Sequence, residues 1–238
     1  MSGLNKNGNK LAGVKPTVTN SHAFEGAYSP EEFIRKEIAC YSKQLYDRKY
    51  VVGREGSLSA RVEENKVIGT PAGISFGNVD ESRLCEVDLE GNRLNASEPP
   101  REFRMYLELY KKNPECGCIL HIQPTFLTLL SCRDDIDKRD PLGSMTVKQS
   151  TMMYDVAFIP FYNQGVSSVA HHLKSWENTH DAYLVANNGI MVLGHRVEDA
   201  YYMLEELEQM AKLTLLAERN RTRFLSAQEI FSLRKGIG

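Results

Sequence analysis

No stretch of this chain approaches the roughly 18 consecutive apolar residues of a membrane-spanning helix, so a helical membrane protein is not expected. It also lacks a charge excess. There are 29 basic and 31 acidic residues, a formal net charge of −2, and no basic patch of the kind that binds nucleic acid. The five cysteines are odd in number and spaced unlike a disulfide framework. Cys116-Gly117-Cys118 is one residue short of the Cys-x-x-Cys of redox and zinc motifs. Free, buried thiols are therefore expected. The first residues carry no apolar core of a signal peptide, which leads to the expectation of a cytoplasmic protein. No internal repeat is visible.

What is present is an ordinary globular composition, 42% hydrophobic and 25% charged, in 238 residues. Residues 1–24 are mostly small and polar, too poor in large apolar groups to order themselves, and read as a disordered leader. A single domain is expected over residues 25–238. Its first helix starts at Ser29-Pro30-Glu31-Glu32, where Ser29 and Glu32 can form a capping box and Pro30 suits the first helical position. Short extended pieces separated by glycine-rich turns follow from Gly53 to Ile74, with another strand at Leu84–Val87. Pro99-Pro100 opens a helix with Phe103, Tyr106, Leu107 and Tyr110 on one face. Strands at Cys118–Ile122 and Val156–Pro160 flank an apolar helical turn at Phe126–Leu130, and a helix covers Gly165–Trp176.

Asn188-Gly189 between the apolar runs 182–186 and 190–193 is a strong hairpin signal. The longest helix then runs from about Val197 to Asn220, with Val197, Ala200, Tyr201, Leu204, Leu207, Ala211 and Leu215 on its apolar face. Ser226 and Glu229 would cap a last helix. Antiparallel strands mixed with flanking helices argue an α/β or α+β domain.

The most informative stretch is Ile119–Pro124, Ile-Leu-His-Ile-Gln-Pro. Residues two apart on a strand share a face, so His121 and Gln123 point the same way. Two histidines there would make half of a metal site; this chain has one. His171, His172 and His180 read as a solvated helix end, because adjacent helical residues point apart.

In order, the chain carries Gly53-x-x-Gly56-Ser57-x-Ser59, Thr70-Pro71-x-Gly73-Ile74, an acidic residue opening a helix (Glu102), a strand ending in His121, the Asn188-Gly189 hairpin and a long helix. This ordered set resembles the class II aldolase/adducin family over about Glu31–Glu218. The resemblance implies a three-layer α/β/α fold with a largely antiparallel central sheet, assembled as a homo-oligomer, a tetramer by preference, with active sites at subunit interfaces. It implies three metal-binding histidines, the first at His121; Gln123 and Asn188 stand at the other two positions. Amide oxygens are weak ligands for zinc. No tightly bound cofactor is expected, and any divalent ion, zinc or manganese, would be weakly held with His121 its one imidazole ligand.

The resemblance also places the catalytic acid/base at Glu102 and gives His121 a catalytic role, polarising or orienting the substrate. It puts an anion cradle at Gly56-Ser57, at Ala72-Gly73 and at Pro100-Arg101, where Arg101 adds a guanidinium suited to phosphate or carboxylate. Gln123 and Asn188 become substrate-binding candidates, Lys148 a remote Schiff-base candidate, and Tyr162, Asn163 and Gln164 candidate site-lining residues. Two functions follow. One is an aldolase-like lyase, less readily an epimerase or decarboxylase, acting on a small anionic sugar-phosphate-like or hydroxy-carbonyl substrate. The other is a catalytically inactive, adducin-like binding or scaffold protein.

Overall fold

In a computed structural model of the chain, residues 29–143, 145–152, 154–163, 165–217 and 221–235 are described. The expected leader lies outside them, as do residues 218–220; the expected long helix ends earlier than Asn220, at Leu216, because Ala217 is already extended. The elements run α1 (Pro30–Asp47), β1 (Ser57–Glu63), β2 (Lys66–Gly69), β3 (Cys85–Val87), α2 (Phe103–Lys112), β4 (Cys118–Ile122) and α3 (Thr125–Ser131). Then follow α4 (Val147–Met152), β5 (Val156–Ile159), α5 (Val166–Ser175), β6 (Ala182–Val185), β7 (Ile190–Gly194), α6 (Val197–Leu216) and α7 (Ala227–Lys235). The seven strands form one sheet in the order β3-β2-β1-β4-β7-β6-β5, antiparallel at every pair except β5 with β6.

Helices cover both faces, so the central strands are apolar on both sides. On β4, Cys118, Leu120 and Ile122 join the core built with Ile38 and Leu45 of α1, Leu127 of α3 and Leu204 and Leu207 of α6. Ile119 joins the opposite core, with Phe103, Tyr106 and Tyr110 of α2 and Val169 and Leu173 of α5. The same alternation divides Ile190 and Val192 from Met191 and Leu193 on β7. His121 therefore points to the α2 side, where the next same-face position in a fully apolar strand would be another core residue.

The capping boxes form. The Ser29 N–H donates to Glu32 Oε2 at 2.8 Å and the Glu32 N–H to Ser29 Oγ at 3.3 Å. Ser226 and Glu229 repeat the arrangement at α7. At the hairpin, the positive φ values fall on Asn187 (58°) and Gly189 (75°), so the turn is longer than Asn188-Gly189 alone. Helix α4 has no counterpart in the sequence reading; its six residues are too short for a helical period to show.

Two expectations need correction. Cys85, Cys116 and Cys118 are buried, but Cys40 and Cys132 are exposed. His172 and His180 are not a solvated helix end. They pack on either side of Trp176, with ring centroids at 5.0 and 5.3 Å, and His180 also meets Tyr183. The indole offers more apolar surface than a helix terminus can leave wet, and the imidazoles cover it; of His171, His172 and His180, the exposed one is His171.

Candidate active site

Neighbouring strands set the site. Ser57 at the start of β1 pairs with His121 on β4, and His121 pairs with Met191 on β7. The N-terminus of α2 packs over this end of the sheet, bringing Tyr106 against both: Tyr106 Oη lies 2.6 Å from Ser57 Oγ and 3.2 Å from His121 Nδ1. His121 Nε2 lies 3.1 Å from the Asn188 carbonyl oxygen, so the imidazole ties α2 to the hairpin turn. Gln123 Nε2 donates to Asn188 Oδ1 at 3.4 Å. Gln123 Oε1 is buried and accepts no hydrogen bond.

Two glycines permit this closeness. Gly56 has φ +86°, and a Cβ on it would sit 2.7 Å from Ile122 Cγ2 and 3.2 Å from the His121 carbonyl oxygen. Gly189 has φ +75°, and a Cβ there would sit 2.4 Å from the Ile122 carbonyl oxygen and 2.9 Å from Gln123 Cα. Neither contact is tolerable, so both loops lie on β4 only because these positions lack side chains.

Glu102 stands just before α2, half-buried, and its carboxylate does not cap the helix. It is one helical turn before Tyr106, and its charge acts on both Tyr106 and His121. Burial is the largest influence on His121 and lowers its pKa; the Asn188 carbonyl and the Glu102 charge oppose it without prevailing. Burial raises the Tyr106 phenol well above its usual range. Both rings are thus held neutral near neutral pH.

The anion-cradle candidates are placed less uniformly. The Ser57 hydroxyl is buried against Tyr106 and does not face solvent. The Ala72 N–H donates to the Glu98 carbonyl at 2.8 Å, which occupies one expected phosphate donor. Ala72 and Gly73 are exposed, and Gly73 has φ +70° with open space beside it. Arg101 is exposed, and its side chain forms no ion pair or hydrogen bond among the described residues. Lys148 is exposed and ion-paired with Glu206 at 2.8 Å, a hydrated environment unlike that of a Schiff-base lysine. Tyr162 stacks on His172, Asn163 is exposed, and Gln164 lies outside the described residues. A groove of about 810 Å³ lies elsewhere, lined by Val147, Thr151, Leu225 and Leu233 among others, and includes none of these residues.

Sequence reading missed the part played by Tyr106, which it used only as apolar surface. Its spacing of four from Glu102 was the available signal.

The class II aldolase and adducin N-terminal domain model matches residues 36–215. The chain belongs to the class II aldolase and adducin family. It is 37% identical to a 3-oxo-tetronate 4-phosphate decarboxylase of Haemophilus influenzae over 191 residues, 80% of this chain and 91% of that one. It is 32% identical to an L-fuculose phosphate aldolase of Methanocaldococcus jannaschii, covering 76% of this chain and 96% of that one. The structure of YgbL from Escherichia coli superposes with a TM-score of 0.80 at 31% identity, over 87% of this chain and 100% of that one. Family membership agrees with the α/β fold and mostly antiparallel sheet described above.

The divalent ion that the family resemblance implies does not fit the donors present. Both imidazole nitrogens of His121 are engaged by protein groups. The other two positions offer amides, one of whose oxygens already accepts from the other side chain. Among the described residues, no group of three or more His, Cys, Asp or Glu side chains is arranged to hold a metal. Nor is any helix among them long and apolar enough to cross a membrane.

Proposed function

We propose that this protein is a lyase that breaks the carbon–carbon bond beside a carbonyl in a small phosphorylated oxo- or hydroxy-acid, with decarboxylation as its reaction. The observation that carries this reading is the position of Glu102 at the start of the helix whose Tyr106 is hydrogen-bonded to His121 at one end of the sheet. Identity with phosphorylated 3-oxo acid decarboxylases, 31–37% over at least 91% of their lengths, favours loss of carbon dioxide over aldol cleavage.

Loss of carbon dioxide from a 3-oxo acid leaves the bonding electron pair on the adjacent carbonyl as an enolate. Two things must then be supplied, hydrogen-bond donors for the enolate oxygen and a proton for the carbon. In this reading the exposed Asn188 amide at the turn serves the first task, and the Glu102 carboxyl the second. Arg101, exposed and unpaired at the mouth of α2, holds the phosphate by a bidentate contact, with Gly56 and Gly73 allowing close backbone approach. The buried Ser57 hydroxyl supports the site through Tyr106 and does not touch substrate.

Assembly as a homo-oligomer, preferably a tetramer, belongs to the same reading. Large apolar side chains are exposed on and around α4, the end of α6 and α7: Val147, Leu216, Phe224 and Phe231. Light scattering on the purified protein reads the mass directly, and a strict monomer would overturn this part.

The test of function is release of carbon dioxide from 3-oxo-tetronate 4-phosphate, run beside cleavage of L-fuculose phosphate. Turnover of the first and not the second is expected. A second reading is favoured by one observation: Gln123 and Asn188 stand where the resemblance implies imidazoles. It is an adducin-like binding protein that keeps the fold without the reaction. Binding of the phosphorylated acid with no turnover would select it.

A further inference from the structure

The proton positions around His121 follow from what its neighbours can do. A carbonyl oxygen only accepts, so the Nε2 that lies 3.1 Å from the Asn188 carbonyl must carry a proton. A second proton on Nδ1 would create a buried cation, and neither hydrogen bond of the ring goes to a carboxylate. Nδ1 is therefore an acceptor, and the Tyr106 hydroxyl at 3.2 Å donates to it. Tyr106 Oη in turn accepts from Ser57 Oγ at 2.6 Å. Donation runs in one direction, from Ser57 to Tyr106 to His121 to the Asn188 carbonyl.

A metal ion needs a free lone pair on the imidazole. The Nε2 lone pair is replaced by a proton, and the Nδ1 lone pair faces a phenol in the buried core. Removing either partner to admit an ion would leave a buried donor or acceptor unsatisfied. Binding there must overcome that cost with one imidazole and two amides, and the oxygen of Asn188 is already used by Gln123.

We propose that His121 is a positioning residue and not a metal ligand: a neutral imidazole, protonated on Nε2, that fastens the Asn188-Gly189 turn to the end of β4. In this role it sets the distance between α2, which Glu102 precedes, and the hairpin, which carries Asn188. The inference concerns the ring and its bonds, and stands apart from the identity of any substrate.

Long-range proton–nitrogen correlation spectra of uniformly nitrogen-15 labelled full-length protein report the tautomer of each histidine. Spectra are recorded before and after incubation with excess zinc, and metal content is measured after the free ion is removed. A His121→Gln variant assigns the signal. The expected result is an Nε2–H tautomer for His121, unmoved by zinc, with substoichiometric metal in the protein. An Nδ1–H tautomer, or a zinc-induced shift of the His121 nitrogens with stoichiometric metal, would overturn the proposal. Should the variant fail to fold, Tyr106→Phe assigns the same signal through loss of the His121–Tyr106 hydrogen bond. Neither readout uses substrate, so an inactive protein leaves this inference standing, and a zinc-bound His121 leaves the lyase reading open.

Discussion

Glu208, on α6, accepts the backbone N–H of Leu127 at 2.8 Å with one carboxylate oxygen and that of Phe126 at 2.9 Å with the other. The first turn of α3 has no capping side chain of its own, and Glu208 supplies the missing acceptors. Because α3 starts two residues after Gln123, this bond pins the segment that leaves the site. Burial raises the Glu208 pKa and the two amides oppose it. A Glu208→Gln substitution turns an acceptor into a donor facing an N–H. It is expected to cost about 2 kcal/mol in urea unfolding. A change indistinguishable from zero would show that α3 does not depend on this bond.

Glu37 sits half-buried at the α1–α6 contact, and burial pushes its carboxyl up from 4.5 to about 7 despite Arg196 nearby. Glu198 and Asp199 push the same way. The folded protein therefore binds this proton more tightly than the unfolded chain. The contribution is fully present below pH 4.5 and is lost as pH rises toward about 7. One pKa unit corresponds to about 1.4 kcal/mol, so the ceiling of the effect is about 3 kcal/mol. Denaturation midpoints of Glu37→Gln are expected to fall less than those of the wild type between pH 5 and pH 8, pH values at the edges of the usual stability range. Parallel curves would refute the assignment.

Gly189 is in the left-handed region with the Ile122 carbonyl where a side chain would go. Gly189→Ala is expected to destabilise the fold by about 3 kcal/mol, combining backbone strain and a clash. It should also move the Asn188 carbonyl off His121. Chemical denaturation reads the first effect and the His121 nitrogen shifts read the second. A variant as stable as wild type with unmoved shifts would contradict the packing described.

The double substitution Gln123→His and Asn188→His places three imidazoles where one imidazole and two amides stand. Three nitrogen ligands suit zinc with an open fourth position. Metal analysis is expected to find about one zinc per chain in the double variant and a substoichiometric amount in the wild type. A folded double variant without zinc would show that the hydrogen bonds of His121, and not only the two amides, keep the ion out.

Much of the scaffold was legible because it rests on local rules. Ser29 and Glu32 announce a helix start, the Asn188-Gly189 pair announces a hairpin, and the apolar periodicity of Val197–Ala211 announces α6. Of the site, His121 stood out as a polar residue ending an apolar strand. Its partners did not, because Tyr106 and Ser57 are brought to it by strand pairing and helix docking that no short window contains. Glu208 is clearer still: its partners lie 81 and 82 residues away in sequence. The same reason hid the packing of His172 and His180 around Trp176, where spacing along the helix argued for solvent.

The central claim is that Glu102 delivers a proton at a site that works through hydrogen bonds. Its most direct test is carbon dioxide release from 3-oxo-tetronate 4-phosphate by protein stripped with chelator, wild type against Glu102→Gln. Turnover by the stripped wild type is predicted, with a loss of about 100-fold or more in the variant and an unchanged fold. Equal rates in the two proteins, or turnover that appears only when a divalent ion is restored, would contradict the account.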